Sequence, residues 1–351
     1  MKIYVNARFL TQPITGVQRY GIECSRQIKK LHPEVTFLTP ENILSKDIAT
    51  ELEVEIIGKN TGHRWEQTDL PRYLKKIGNP KLLNFANTAP LLYNNNYTTI
   101  HDLAFHFHPE WNSRLFATWY NFLIPKIAKK SKHIFTVSNT IKDEIITAYY
   151  IQPDKISVTF NGISKKLTEY INGNIPTKKK IILSVGTFSI RKNHQNVIKG
   201  FLQSNIKDEY KLALVGDRNK IFSESGIDNE LLKNSNIDLL QHLTETELIE
   251  LYCSSEIVVS LSKYEGFGIP LLEGLYAGCK LLCSDIPVYK ELYTGFATFC
   301  QQDNIENISE AMNKIVSFDR NIEPLKMQKL FGVCNYKKAA ETILEKVLSV
   351  A

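Results

Sequence analysis

No run of apolar residues in this 351-residue chain approaches the roughly 20 that a membrane-spanning helix requires. The opening stretch MKIYVNARFL lacks the extended apolar core of a signal peptide, so the sequence predicts neither export nor insertion. Six cysteines (Cys24, Cys253, Cys279, Cys283, Cys300 and Cys334) form no C-x-x-C pair and no metal-ligand spacing with histidine. Several sit in apolar runs, which predicts free buried thiols in a reducing compartment and a cytoplasmic protein. Neither sign of charge dominates: 43 Lys and Arg against 37 Asp and Glu leave a net +6. Such a balance is compatible with an anionic ligand or an anionic membrane surface, and too weak to argue for nucleic acid. Also missing is a G-x-G-x-x-G after the first strand, anywhere from Met1 to Tyr20. Its absence argues against a dinucleotide oxidoreductase.

What is present suits two soluble α/β domains, each long enough to bury a core. Apolar residues make up 43% and charged residues 23%, ordinary values for a globular chain. The most informative stretch is 258–278, VVSLSKYEGFGIPLLEGLYAG. Ile257 to Leu261 reads as a buried strand, Glu265-Gly266-Phe267-Gly268 as a loop, and Pro270 opens a helix carrying Leu271, Leu272, Glu273 and Ala277. A strand–loop–helix joint of this kind aims backbone N–H groups and the positive helix end at one spot, which suits a phosphate or diphosphate. Glu265 and Glu273, with seven residues between them, would flank that anion and accept from sugar hydroxyls.

Along the chain, Lys2 to Val5 reads as a strand, Asn6 to Gly16 as a loop, and a helix starts near Val17. Gly16 either allows a backbone to approach a ligand or merely permits the turn. A run with Trp65, Glu66, Gln67 and Pro71 has no evident chemical role. Thr98 to Ile100 predicts a short strand with His101-Asp102 at its carboxyl end, where ligands of open α/β sheets collect. His106 and His108 follow at separations of five and two, straddling a strand end and a loop, so no tetrahedral metal set is implied. From Trp111 to His133 the chain reads as a helix with an aromatic stripe (Trp111, Phe116, Trp119, Tyr120, Phe122) and a basic end. Docking on acidic lipid headgroups is one reading of it. Because Pro125 interrupts a strictly amphipathic face, core packing is the expectation. His133 to Val137 and Ile156 to Phe160 read as strands, with Ser138 capping the helix between them. Residues 163–180 are polar and lysine-rich, and read as the interdomain linker.

In the second half a strand from Ile181 to Val185 is followed by Gly186 and by Arg191-Lys192-Asn193. Two adjacent cations there are well placed to neutralise a diphosphate, Arg as a planar fork and Lys as a point charge. KLALVGD, residues 211–217, is another strand, ending in Gly216-Asp217. Thr244 and Glu247 have capping-box spacing. CKLLCSD and TGFATFC read as further strands, and NYKKAAETILEKVLSV as a helix.

The string Glu265-Gly-Phe-Gly-x-Pro-x-x-Glu273, together with Gly16, His101-Asp102, Asn161-Gly162 and Arg191-Lys192-Asn193 in that order, resembles the retaining glycosyltransferases of family 4. The resemblance implies a GT-B fold, two Rossmann-like doubly wound domains facing a cleft. An N-terminal acceptor-side domain would span 1–164 and a nucleotide-sugar domain 165–334, with the helix 335–351 returning to the first, although the usual tryptophan near Tyr336 is missing. It implies donor contacts at Gly16, Gly186, Arg191, Lys192, the Leu243 backbone, Glu265 through Gly268, Leu271, Leu272 and Glu273. His101, Arg191, Lys192 and Glu265 become the catalytic candidates. The family requires no metal, and no Asp-x-Asp stands at a strand end to bridge a diphosphate through Mg²⁺; no cofactor is expected. ARFLTQPITGVQRY with WEQ…LP resembles bacterial surface-polysaccharide enzymes, many of them mannosyltransferases using GDP-mannose on lipid-linked glycans. That implies a place at the inner face of the cytoplasmic membrane. An epimerase of the same architecture and a non-catalytic nucleotide-sugar-binding subunit are the alternatives.

Overall fold

The computed structural model describes residues 2–173, 177–216, 228, 230–317 and 323–349. Contacts divide the chain into one unit of Met1–Asn161 with Val333–Ala351 and another of Gly162–Gly332.

In the first unit seven strands run parallel: β1 (Ile3–Asn6), β2 (Thr36–Thr39), β3 (Glu55–Ile56), β4 (Lys81–Asn84), β5 (Asn96–Ile100), β6 (His133–Thr136) and β7 (Ile156–Val158), in the order β3-β2-β1-β4-β5-β6-β7. Apolar strand residues such as Ile3, Val5, Leu83, Ile134 and Phe135 are buried, as expected of parallel strands covered on both faces. The order reverses between β1 and β4, the kind of place where a crevice opens at the carboxyl ends of the strands. Helix Gly16–Leu31 starts from Thr15, whose N–H donates to Gln18 Oε1 at 3.2 Å. Helix Tyr336–Ser349 packs on it, with the Tyr336 and Tyr20 rings 6.3 Å apart and Lys81 Nζ donating to the Val347 carbonyl at 2.6 Å.

The aromatic stripe departs from expectation. Its helix runs Arg114–Lys130, after a 3-10 turn at Pro109–Trp111, and starts at Ser113, whose hydroxyl accepts from Phe116 N–H at 3.3 Å. The face that packs on the unit carries Ala117, Leu123, Ile124, Ile127 and Ala128. Phe116, Trp119 and Phe122 lie on the exposed face instead. The helix has two apolar faces, and only one fits against the sheet.

In the second unit six strands run parallel: β8 (Lys179–Val185), β9 (Lys211–Val215), β10 (Ile237–Leu240), β11 (Ser255–Ser260), β12 (Lys280–Ser284) and β13 (Ala297–Cys300), in the order β10-β9-β8-β11-β12-β13. Numbered from β8 this is the 3-2-1-4-5-6 order of nucleotide-binding doubly wound sheets, with its reversal between β8 and β11. The segment read as a linker holds a helix, Lys165–Gly173, and its last lysines already belong to β8. Alternation of Leu167 and Tyr170 among lysines gives that helix an apolar side, and Leu167 is buried. Thr244 and Glu247 form the predicted capping box. Asp217 lies outside the described residues. All six cysteines are buried and unbridged. Among the described residues no helix is long and apolar enough to cross a membrane.

Candidate functional site

In the second unit the reversal point gathers the charged residues singled out from the sequence. After β8 the chain passes Gly186 into a 3-10 turn, Ile190–Lys192, closed by Asn193 in the left-handed region at φ 58°. After β11 comes the loop 261–268, and the Lys263 N–H donates to the Arg191 carbonyl at 2.9 Å. That bond ties the cationic turn to the glutamate loop. Glu265 accepts from Lys192 Nζ at 2.5 Å on Oε1 and from Arg191 Nη1 at 3.2 Å on Oε2. Burial pushes the Glu265 carboxyl up, but Lys192 and Arg191 outweigh it and hold the group at about 2. The carboxylate is therefore ionised at any physiological pH. One carboxylate thus holds a guanidinium and an ammonium side by side, donor groups of the kind that suit phosphate oxygens.

The cations are not sealed in: 25% of the Arg191 side chain and 14% of the Lys192 side chain reach solvent, against 9% for Glu265. A Cβ at Gly186 would sit 3.3 Å from the Lys192 stem, so this glycine lets the lysine lie close along the strand end. Gly268 stands at φ +93°, and a Cβ there would meet Tyr289 Cε1 at 2.5 Å; no other residue fits that turn without strain. From it starts helix Ile269–Tyr276, which carries Glu273, buried, on its second turn. One expectation needs correcting. The N–H groups of Leu271 and Leu272 turn back to the Gly268 carbonyl at 3.0 and 3.4 Å, and Pro270 has none. Leu271 and Leu272 therefore spend their N–H groups on the helix turn, and their side chains are buried. Leu243 lies half-buried between β10 and helix Glu245–Ser254, beside His242 in the left-handed region.

His194, not singled out from the sequence, stands under the same turn. It is buried, its Nδ1 pairs with Ser184 Oγ at 3.2 Å, and burial together with Lys192 lowers it to about 4. It stays neutral and adds no charge to the site. Its signal lay in its place directly after Arg-Lys-Asn.

In the first unit His101 is buried at the end of β5, with its Nε2 2.7 Å from the Phe85 carbonyl and its N–H on Asn87 Oδ1 at 2.7 Å. A carbonyl only accepts, so Nε2 carries the proton and Nδ1 is the acceptor nitrogen. Burial lowers its pKa. Gly16 is the exposed first residue of its helix and is not among the glycines of positive φ.

Glu66, without a role in the sequence reading, is surrounded by partners in the structure. At the reversal between β1 and β4 its Oε1 accepts from Asn6 Nδ2 at 2.9 Å, Thr88 Oγ1 at 3.0 Å and Arg8 Nε at 3.2 Å, while His63 Nδ1 lies 3.3 Å from Oε2. Arg8 also donates to Thr88 Oγ1 at 2.9 Å. Burial raises the Glu66 carboxyl, yet Arg8 and His63 hold it at about 2. The neighbouring Trp65 donates to the Ile57 carbonyl at 2.7 Å, and Gln67 bonds both Ala89 O and Leu91 N–H at 2.9 Å, which are structural duties.

Comparison with known proteins extends over both units. Residues 14–166 match the family described as Glycosyltransferase Family 4, and residues 168–329 the family described as Glycosyl transferases group 1. The O-antigen chain mannosyltransferase RfbU of Salmonella typhimurium is 30% identical over 275 residues, 74% of this chain and 75% of that protein. A GDP-mannose:cellobiosyl-diphosphopolyprenol alpha-mannosyltransferase of Xanthomonas campestris is 22% identical over 220 residues, 60% of this chain and 55% of that protein. Among solved structures, a glycosyltransferase from Rickettsia africae superposes with a TM-score of 0.72 at 18% identity, covering 100% of this chain and 99% of the other.

Proposed function

The chain belongs to the family 4 glycosyltransferases and has their GT-B fold, and from that premise we propose that it moves a hexose from a nucleotide-sugar onto a lipid-linked or polysaccharide glycan. Mannose from GDP-mannose is the first donor to test, because the relatives described above are mannosyltransferases and the Xanthomonas one is named for that donor. The lipid-linked acceptor is suggested by the same name. A capsule or O-antigen type of product follows from the Salmonella relative.

One observation carries the reading: two partly exposed cations, held by one buried carboxylate, at the reversal point of a doubly wound parallel sheet. In the proposed reaction the donor diphosphate meets Arg191 and Lys192, which stabilise the charge that grows as it departs. In this reading the two cations carry the charge-neutralising role, and no metal is assigned to the transfer. Glu265 holds both cations, bonds Ser262 as well, and offers its remaining acceptor capacity to a sugar hydroxyl. Glu273 accepts from the ribose. The first unit is assigned the acceptor, with His101 Nδ1 the acceptor atom of its imidazole. Retention requires the acceptor oxygen to attack the anomeric carbon on the face the diphosphate leaves. The bond to the phosphate oxygen breaks as the new glycosidic bond forms, and that oxygen takes the acceptor proton.

A thermal-shift panel of GDP-mannose, GDP-fucose, UDP-glucose, UDP-N-acetylglucosamine and dTDP-rhamnose, on wild type beside Glu273→Ala, tests the donor half. A ligand that binds only the native state raises its stability by mass action. One donor stabilising the wild type, with the shift lost in the variant, is the expected result. No shift from any donor at millimolar concentration would overturn the nucleotide-sugar site itself.

A further inference from the structure

The exposed stripe of helix Arg114–Lys130 has no partner in the catalytic reading. On that face Leu115 is 83% exposed, Phe116 40%, Trp119 39% and Phe122 49%. Leu115, Trp119, Phe122, Lys126 and Lys130 follow one another at helical spacings, so they form one line along the helix. The rings are organised: Phe116 stacks on Tyr120 at 4.0 Å, Trp119 on Phe122 at 5.9 Å, and Lys126 Nζ stands 3.2 Å from the centre of the Phe122 ring. An apolar line of large side chains thus runs into a basic end.

Charge selects the occupant. Residues 111–142 contain six cations (Arg114, Lys126, Lys129, Lys130, Lys132 and Lys142) and no Asp or Glu. A second copy of this chain, itself at +6, would bring like charge to the same face. An anionic bilayer offers the complementary sign at the basic end and an apolar layer for the rings. Trp and Phe with flanking Lys and Arg are the residues that settle at such a boundary. With its other face buried in the first unit and too few apolar residues to cross a membrane, the helix can only lie flat in the headgroup region.

We propose that helix Arg114–Lys130 docks the protein on an anionic lipid surface, with Leu115, Phe116, Trp119 and Phe122 in the headgroup–acyl boundary and Lys126, Lys129 and Lys130 on lipid phosphates. The proposal deepens the lipid-linked acceptor reading by naming the surface that would bring the enzyme to it. It uses no donor contact, so either idea can fail while the other stands.

The test is co-sedimentation of the full chain with vesicles of phosphatidylglycerol and phosphatidylcholine, against phosphatidylcholine alone, over a salt series. Binding to the anionic vesicles that weakens as salt rises is expected. Replacing Leu115, Trp119 and Phe122 together by Ser should lower partitioning at least about tenfold. Reversing Lys126, Lys129 and Lys130 to Glu should lower it roughly a hundredfold. Circular dichroism and the melting temperature check that both variants fold. Independently of them, Trp fluorescence of the wild type should be quenched by brominated phosphatidylglycerol, and Trp119→Phe should remove that quenching. Failure of the wild type to bind anionic vesicles at low salt overturns the proposal. So does equal binding by the Ser variant, or a lipid-free dimer that the Ser variant dissolves, since a second copy would then cover the stripe.

Discussion

Each sheet reverses its strand order once, and each reversal point holds a buried glutamate kept near pKa 2 by cations. In the first unit Glu66 meets one arginine, Arg8, which is 5% exposed and also bound to Thr88. The Glu66 Oε1 side is closed to water, while His63, 36% exposed, stands 3.3 Å from Oε2. In the second unit Glu265 meets two cations, Arg191 and Lys192, that both reach solvent. The same local device, a carboxylate beneath a strand-end turn, therefore has two uses. With its arginine buried it braces a loop junction; with its cations reaching solvent it suits the anion proposed above.

The largest expected effect separates these uses by stability. Glu66→Ala leaves Arg8 buried without its carboxylate and should cost about 3–5 kcal/mol in urea unfolding. A loss below about 1 kcal/mol would mean that Arg8 finds another partner or water, and the sealed description would be wrong. Next comes chemistry: Lys192→Ala should raise the transfer barrier by roughly 2–4 kcal/mol, read as kcat with whichever donor the thermal-shift panel selects. Near-normal turnover would remove the lysine from the mechanism. Acid acts on both sites in the same direction. Each carboxyl has a folded pKa of about 2 against an ordinary 4.5, so its contribution is complete above that ordinary value and is lost as pH falls toward 2. Stability measured from pH 6 down to pH 2.5 should decline through this window, and Glu66→Gln should flatten part of the decline. The smallest effect is local: Thr244→Ala should cost about 1 kcal/mol by removing a helix cap, with no change at either glutamate.

How much of this was legible in the sequence follows the distance over which each feature is built. The donor joint was readable because β11, the glycine loop and helix Ile269–Tyr276 are consecutive, and Arg191-Lys192 follow β8 directly. Glu66 was not, since its partners Asn6, Arg8 and Thr88 come from 22 to 60 residues away and meet only when β1 and β4 pair. The amides of Leu271 and Leu272 looked available from spacing alone, yet the turn at Gly268 uses them. For helix Arg114–Lys130, periodicity revealed apolar residues on two faces. Choosing the face that packs required the shape of the sheet and its neighbours, so the expectation of a core stripe failed there. The linker reading missed a helix for a related reason. The units divide at Asn161–Gly162, and Leu167, buried by contacts distant in sequence, turns the lysine-rich stretch after that division into a helix.

The contrast between the open and the sealed cluster is tested most directly by titration calorimetry of GDP and UDP into wild type, Lys192→Ala and Glu66→Gln. Saturable binding of one nucleoside diphosphate to the wild type is predicted, weakened at least about tenfold by losing a charge-assisted contact in Lys192→Ala and unchanged in Glu66→Gln. Equal affinity in wild type and Lys192→Ala, or weakening confined to Glu66→Gln, would contradict the assignment of the anion to the second unit.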